Sequence, residues 1–153
     1  MKLSEIFQED TVLPDLKAKD KKGVLEELVE PVVQHEPHLD RNALIHVLVE
    51  RERLGSTGIG NGVAIPHGKI SGISQPRIAF GRSAKGLDFE SMDGEPTHLF
   101  FLLLAPENST SLHLQALARI AKILKNSAFR KDLLEATGRN EIYRKIIQND
   151  EEF

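Results

Sequence analysis

The chain has 153 residues, no cysteine and a formal net charge of −3, from 23 acidic and 20 basic side chains. These numbers exclude a disulfide framework, a thiolate metal site and a cysteine nucleophile, and the lack of any long basic block argues against nucleic acid as a partner. The length predicts one domain over residues 1–153, with a core large enough to fold without metal or disulfide.

The N-terminal residues carry acidic side chains before any long apolar stretch, so they do not resemble a signal peptide. The longest apolar run covers residues 99–106, far short of the roughly 20 residues that cross a bilayer. We therefore expect a cytoplasmic protein that does not insert into a membrane.

The first third of the chain predicts an irregular lead-in over residues 1–16 and then two helices. Asp20 is a candidate N-cap for the first helix, which Pro31 bends or ends, and Asp40 is a candidate N-cap for the second. Gly55 ends that second helix, which delivers the chain into a glycine-rich loop. The apolar residues at helical spacing are Val24, Leu25, Leu28, Val29, Val32 and Val33, then Leu44, Ile45, Leu48 and Val49.

The middle of the chain predicts strands at 63–65, 77–82 and 97–105, with a short strand or loop between residues 86 and 94. The last strand is apolar on both faces, which indicates a central strand covered on both sides. Together with the flanking helices these segments predict an α/β fold: a mixed sheet of four or five strands with helices on both faces.

Three helices follow the last strand. The first begins at Thr110 or Ser111, the second covers residues 128–137 with Ser127 as its cap, and the third covers residues 139–149. Residues 150–153 are expected to fray. The inward side chains expected on the first of these helices are Leu114, Leu117, Ile120, Ala121 and Leu124.

The glycine-rich loop is the strongest functional signal. Four of the eleven glycines lie within residues 55–62, and the run ends on His67 between Pro66 and Gly68. Glycine permits positive φ and close approach of the backbone to a ligand, and Gly68 is expected to leave room beside the imidazole. A flexible, amide-rich loop beside an accessible imidazole indicates chemistry on an anion, with phosphate as the first candidate.

Known nucleotide motifs do not fit this loop. The residues after Gly62 and Gly68 do not match a phosphate-loop pattern, and the dinucleotide fingerprint fails in both spacing and element order. No Gly-x-Ser-x-Gly elbow is present, and the pair His35 and His38 is broken by a proline, so no metal site is predicted.

His67 itself remains as the reactive group. Imidazole has a pKa of about 6.5, so at neutral pH it is largely unprotonated and can attack a phosphoryl group. On spacing alone, His67 could equally be a turn histidine bonded to a backbone carbonyl, and the glycine run only a tight entry to a strand.

The run RERLGSTGIGNGVAIPHGK, residues 51–69, resembles the signature of the IIA proteins of the bacterial phosphoenolpyruvate-dependent phosphotransferase system, fructose/mannitol type. It looks closest to the nitrogen-regulatory branch. The resemblance continues through Asp-Gly-Glu-Pro at 93–96 and the apolar strand to His113, and it covers about residues 3 to 149.

The resemblance implies roles by position. His67 is the histidine that is phosphorylated, on the ring nitrogen distal to the backbone; His113 is an assisting histidine, and Arg51 borders the site. Arg51 at a helix end can fold over an anion, and His113 in the first turn of a helix can donate to a phosphoryl oxygen. Without the resemblance, Arg51 would be interpreted as a residue that solvates a helix face and His113 as a helix-start residue.

Four residues of the loop are candidates for holding the loop or binding phosphate. Turn formation is an equal alternative for two of them, Thr57 and Asn61. His46 and His98 are interpreted as structural. The four candidates are Thr57, Gly60, Asn61 and Gly62.

The function implied is a phosphocarrier, without cofactor or metal, that accepts a phosphoryl group from an HPr-like protein and uses it in nitrogen-related regulation of protein targets. One alternative is a sugar-transport component that passes phosphate to a fructose or mannitol IIB domain; another is a binding module that has lost the chemistry. Docking of a protein donor predicts an exposed apolar patch around the loop, with Ile59 and Ile70 as contributors.

Overall fold

The computed structural model describes residues 1–151 of the chain. A 3₁₀ helix, Leu3–Glu5, opens the chain before the first strand. The strands are β1 Phe7–Leu13, β2 Gly58–Gly60, β3 Val63–Ala64, β4 His67–Ile70, β5 Arg77–Leu87 and β6 Thr97–Pro106. The helices are α1 Lys21–His35, α2 Arg41–Arg53, α3 Thr110–Leu124, α4 Ser127–Glu135 and α5 Gly138–Glu151.

Strand β6 is the centre of a six-stranded mixed sheet. It pairs antiparallel with β5 on one side and parallel with β3 and then β4 on the other. β1 runs parallel to β5 at one edge, and β2 runs antiparallel to β3 at the other. The predicted α/β fold with a mixed sheet is confirmed, and the sheet has six strands rather than four or five.

Alternation along β6 divides the core into two layers. Leu99, Phe101 and Leu103 pack on one face with residues of α3, α4 and α5. Phe100 and Leu102 pack on the other face with residues of α1 and α2. All five side chains are buried, so the prediction of a central strand covered by helices on both sides is confirmed.

The prediction of an irregular lead-in over residues 1–16 is wrong, because this segment contains the edge strand β1. β1 shows no clear alternation, since Glu9 and Asp10 interrupt it and its register with β5 shifts between Phe7 and Val12. The prediction that Pro31 bends or ends α1 is wrong about the end. The helix continues to His35, and Pro31 itself is buried in the packed face.

Helix ends follow the predicted caps in most places. Asp20 and Asp40 accept backbone N–H groups as expected, whereas α4 is capped by Asn126 and not by Ser127. Leu114, expected inward, is 59% exposed. Within residues 1–151, the helices are all too short or too polar to cross a lipid bilayer.

The predicted fraying of residues 150–153 is wrong for Asp150. Its buried carboxylate accepts the Leu3 N–H at 2.8 Å and the Nε–H of Arg119 at 2.6 Å, so it links the end of α5 to the chain start and to α3. The remaining part of that prediction, at 152 and 153, lies outside the described residues.

Candidate functional site

His67 is the first residue of β4 and lies opposite Leu103 of β6 in parallel register. Paired residues of parallel strands point to the same face, so the imidazole projects toward the layer that contains α3. His113 lies in the first turn of α3, and the centroids of the two imidazole rings are 5.3 Å apart with an interplanar angle of 62°. The structure therefore brings the two predicted histidines into contact.

The hydrogen bond of His67 identifies its free nitrogen. Nδ1 lies 2.7 Å from the carbonyl oxygen of Ile65. A carbonyl only accepts, so Nδ1 carries the hydrogen, and Nε2 of the neutral ring keeps its lone pair. This tautomer presents Nε2, the nitrogen distal to the backbone, as the nucleophile.

Both imidazoles are held in the neutral form. Burial is the largest cause that lowers the pKa of His67, and the charge of Arg51 lowers it further. The hydrogen bond to Ile65 and the charge of Glu52 act in the opposite direction, but the pKa of His67 stays below the ordinary value of 6.5. Burial also lowers the pKa of His113, with His67 and Lys69 contributing. A neutral His67 at pH 7 is the form that can attack phosphorus.

Arg51 borders the site from the last turn of α2. Its Nη1 donates to the carbonyl oxygen of Gly55 at 2.9 Å, so the guanidinium is folded back over the start of the loop. Gly55 ends the helix at φ +146°, as the sequence predicted. The positive charge of Arg51 also lowers the pKa of His67.

The side chain of Thr57 faces Glu52. Its side chain is buried, and both its backbone N–H and its hydroxyl donate to the carboxylate of Glu52. Its carbonyl accepts the N–H of Ile65 at 3.0 Å. Of the two predicted roles, the structure therefore gives Thr57 the role of holding the loop.

The structure does not bring Gly60, Asn61 and Gly62 to His67. These residues form the turn between β2 and β3, with φ of 92°, 58° and 75°. The N–H of Asn61 donates to Asp93 at 3.0 Å, and the carbonyl of Gly62 accepts from the start of β6. His67 pairs with Leu103, about five residues further along β6 than the point that Gly62 contacts. At about 3.3 Å per residue, Gly62 and His67 are therefore about 16 Å apart. The predicted phosphate contact is therefore corrected to turn formation.

The structure requires glycine at position 68 for a different reason from the one predicted. A Cβ at this position would lie 2.6 Å from Cγ1 of Val47 in α2, on the opposite face of β4 from His67. The glycine therefore lets α2 approach the strand and does not make room beside the imidazole.

The exposed apolar residues around the loop are also not all the predicted ones. Ile59 is half exposed, as predicted, but Ile70 is buried under α2. Two further exposed apolar side chains are Leu54, three residues after Arg51 and 85% exposed, and Leu114, which directly follows His113. Helical spacing predicted that Leu114 points inward, but the structure exposes its side chain at the residue that follows His113.

Two further residues of the site were missed. Lys69 lies two residues after His67, on the same face of β4, and its Nζ donates to Oγ1 of Thr110 at the start of α3. Strand alternation would have indicated it. Glu52 is buried beneath the loop, and its position four residues after Leu48, on the apolar face of α2, was the available signal.

Three of the other histidines have separate partners. His35 pairs with Asp10, His38 lies 2.8 Å from the carbonyl of Gly72, and His98 lies 2.9 Å from the carbonyl of Ser83. His35 and His38 therefore do not converge on one point, and His98 has the structural role that was predicted.

Comparison with known proteins identifies relatives that match most of the chain. A family model described as "Phosphoenolpyruvate-dependent sugar phosphotransferase system, EIIA 2" matches residues 5–149. The chain is 41% identical over 143 residues to a nitrogen regulatory protein of Bradyrhizobium diazoefficiens, covering 94% of this chain and 93% of that protein.

A sugar-system protein is equally similar. The chain is 40% identical over 150 residues to the fructose-specific EIIABC component of Bacillus subtilis, covering 98% of this chain but only 24% of that protein's length. Among solved structures, the nitrogen regulatory protein IIA-Ntr of Neisseria meningitidis superposes with a TM-score of 0.87 at 34% identity, covering 94% of this chain and 98% of that one.

Proposed function

The chain belongs to the EIIA 2 family of the phosphoenolpyruvate-dependent sugar phosphotransferase system, and on that premise we propose that it is a phosphocarrier, one domain over residues 1–153, in which His67 accepts a phosphoryl group from an HPr-like protein. The observation that carries the proposal is the hydrogen bond from Nδ1 of His67 to Ile65, which leaves Nε2 free beside His113.

The transfer step conserves both bonds and protons. The Nε2 lone pair attacks phosphorus on the donor phosphohistidine, the N–P bond of the donor breaks, and its electron pair returns to the donor ring. His67 keeps its Nδ1 hydrogen throughout and becomes a phosphorylated imidazolium, whose positive charge the Ile65 carbonyl stabilises. One phosphohistidine is exchanged for another, so the step is close to balanced and reversible.

Three cationic or donor groups are available for the transferred phosphoryl oxygens. Arg51 and Lys69 supply positive charge, and both side chains already interact with loop or helix atoms close to the histidines. Nε2 of His113 is buried and has no hydrogen-bond partner among the described residues. A phosphoryl oxygen would satisfy an N–H there, and such positioned donors stabilise charge during transfer.

We favour a regulatory role, in which phosphorylation of His67 decides which target proteins bind. The support is the similarity to nitrogen regulatory proteins, at 41% identity in sequence and a TM-score of 0.87 in structure. The similarity to a fructose-specific component at 40% identity favours the second candidate, transfer of the phosphoryl group to a IIB domain.

Phosphotransfer from phosphoenolpyruvate through enzyme I and an HPr-type protein tests the proposal. Intact mass should show one phosphoryl adduct that is acid-labile and base-stable. His67→Ala should remove the adduct, whereas His46→Ala, on an exposed face of α2, should retain it. An unchanged wild-type mass would refute the phosphocarrier and leave a binding module of the same fold.

Incubation of the phosphorylated protein with a fructose- or mannitol-type IIB domain separates the two roles. Retention of the phosphoryl group supports regulation, and its loss to IIB supports transport.

A further inference from the structure

Glu52 is an acidic side chain buried beneath the loop, with 5% of the side chain exposed. It follows Arg51 on α2 but points inward, whereas Arg51 points outward to Gly55. The Glu52 carboxylate lies 3.2 and 3.3 Å from the backbone nitrogen of Thr57 and also accepts the Thr57 hydroxyl. The Glu52 carboxylate therefore accepts both hydrogen-bond donors of Thr57, its backbone N–H and its hydroxyl.

The charge of Glu52 is matched by Lys21, the first residue of α1. Its Nζ lies 2.9 Å from Oε1 of Glu52 and 3.1 Å from Oε2 of Glu90, above the ring of Phe89. A buried ion pair contributes little more to folding stability than an apolar pair of similar size, and often less. The cost of burying the Glu52 charge is offset here by Lys21 and by the two Thr57 donors.

A continuous set of hydrogen bonds leads from this pair to the nucleophile. Glu52 holds the N–H and O–H of Thr57, the Thr57 carbonyl holds the N–H of Ile65, and the Ile65 carbonyl holds Nδ1 of His67. Glu52 thus contacts the segment that fixes the ring orientation of His67.

We propose that Glu52, paired with Lys21, is a positioning residue of the phosphoryl-transfer site: it fixes the segment from Thr57 to Ile65, whose carbonyl orients His67. This inference rests on the proposed function. The alternative is a purely structural pair, whose loss changes the stability of the fold and leaves the nucleophile of the folded protein unaltered.

Glu52→Gln tests the proposal, with Glu50→Gln as the matched control. Glu50 lies on the same turn of α2, is exposed, and pairs at 3.0 Å with Arg53 only on its own helix. We expect Glu52→Gln to slow phosphoryl uptake by about 10- to 100-fold, the scale on which misplaced reacting groups lose rate. We expect Glu50→Gln to match the wild type.

The NMR shifts of the His67 ring nitrogens, which report the Nδ1–H tautomer held by the Ile65 carbonyl, are the readout that a structural role would not move. The negative charge of Glu52 raises the pKa of His67, so Glu52→Gln should lower that pKa further. A folded Glu52→Gln protein with wild-type uptake and wild-type ring-nitrogen shifts would overturn the proposal, even if its unfolding midpoint or the pKa of His67 fell.

Thr57→Val provides a second test if Glu52→Gln does not fold. It removes the hydroxyl that Glu52 accepts and keeps the carboxylate charge, so uptake should slow while the His67 titration stays close to wild type. Wild-type uptake by Thr57→Val would count against the proposal. The ring-nitrogen shifts need no phosphodonor. A wild type that takes up no phosphate would defeat the proposed function, and the shifts of Glu52→Gln would still decide whether Glu52 positions His67.

Discussion

The imidazoles of His67 and His113 contact each other edge to face, with ring centroids 5.3 Å apart, and each is set by burial to titrate below an ordinary histidine. His113 feels the charge of His67 in addition to that of Lys69. A proton on either ring therefore disfavours a proton on the other, and the pair remains neutral at pH values where free imidazole is charged.

The first prediction concerns pH. At pH 6 an imidazole with a pKa of about 6.5 is roughly three-quarters protonated and loses most of its nucleophilicity. Because the folded-state pKa of His67 is lowered, phosphoryl uptake should stay close to its pH 7.5 rate until the pH falls well below 6.5. NMR titration of both rings, with urea-unfolded protein as reference, measures this directly. A titration midpoint for folded His67 at or above the unfolded value would contradict the prediction.

The second prediction concerns His113. His113→Gln keeps an amide donor of similar size but cannot match the ring nitrogen, whereas His113→Ala removes the donor entirely. Loss of one positioned donor costs on the order of 10²-fold in transfer rate, so His113→Ala should slow uptake by about that factor, with His113→Gln between it and wild type. Equal circular dichroism and unfolding midpoints are required; a variant that unfolds would assign His113 to the fold.

The third prediction tests the separation of the β2–β3 turn from the site. Asn61 has φ +58°, a conformation that glycine adopts without strain. Asn61→Gly should therefore leave stability within about 0.5 kcal/mol of wild type, and Asn61→Ala should cost about 1 kcal/mol. Neither should change the rate of phosphoryl uptake by His67. A tenfold loss of rate in folded Asn61→Gly would restore the phosphate-binding role that the sequence suggested.

The error over this turn shows what a linear motif leaves out. Residues 60–62 lie five to seven positions before His67, but an extended chain converts that distance into many ångströms. Strands as short as β2 and β3 contain too few residues for alternation to be seen. The contact between His67 and His113 joins β4 to α3, and only the family resemblance, not periodicity, anticipated it.

Longer elements were predictable because each carried several concordant signals. β6 is apolar at every position from Leu99 to Ala105 and is buried on both faces. Asp20 and Asp40 stand before helical periodicity, and both cap the helices they were expected to cap. Glu52 shows the converse, since a lone acidic residue on an apolar helix face has no sequence signal for its partner Lys21, which belongs to another helix.

The fourth prediction concerns Gly68. Gly68→Ala places a Cβ 2.6 Å from Cγ1 of Val47, so α2 or β4 must shift. Such overpacking costs about 1–3 kcal/mol, measured as the change in free energy of urea unfolding. Val47→Ala in the same chain removes the clashing methyl and should recover much of that loss, beyond what the sum of the two single changes predicts. Simple additivity of the two variants would show that the close approach is not the cause.

The last prediction concerns Asp150, whose carboxylate is 1% exposed and joins the Leu3 N–H to Arg119. Asp150→Ala leaves the Leu3 donor and the Arg119 guanidinium without their acceptor, and removing one member of a buried ion pair costs about 3–5 kcal/mol. The matched control is Glu135→Gln, which breaks the exposed pair with Lys131 at 3.9 Å and should cost under about 0.5 kcal/mol. Urea unfolding measures both. A loss below about 1 kcal/mol for Asp150→Ala would mean that solvent compensates Arg119 and that the end of α5 contributes little to the core.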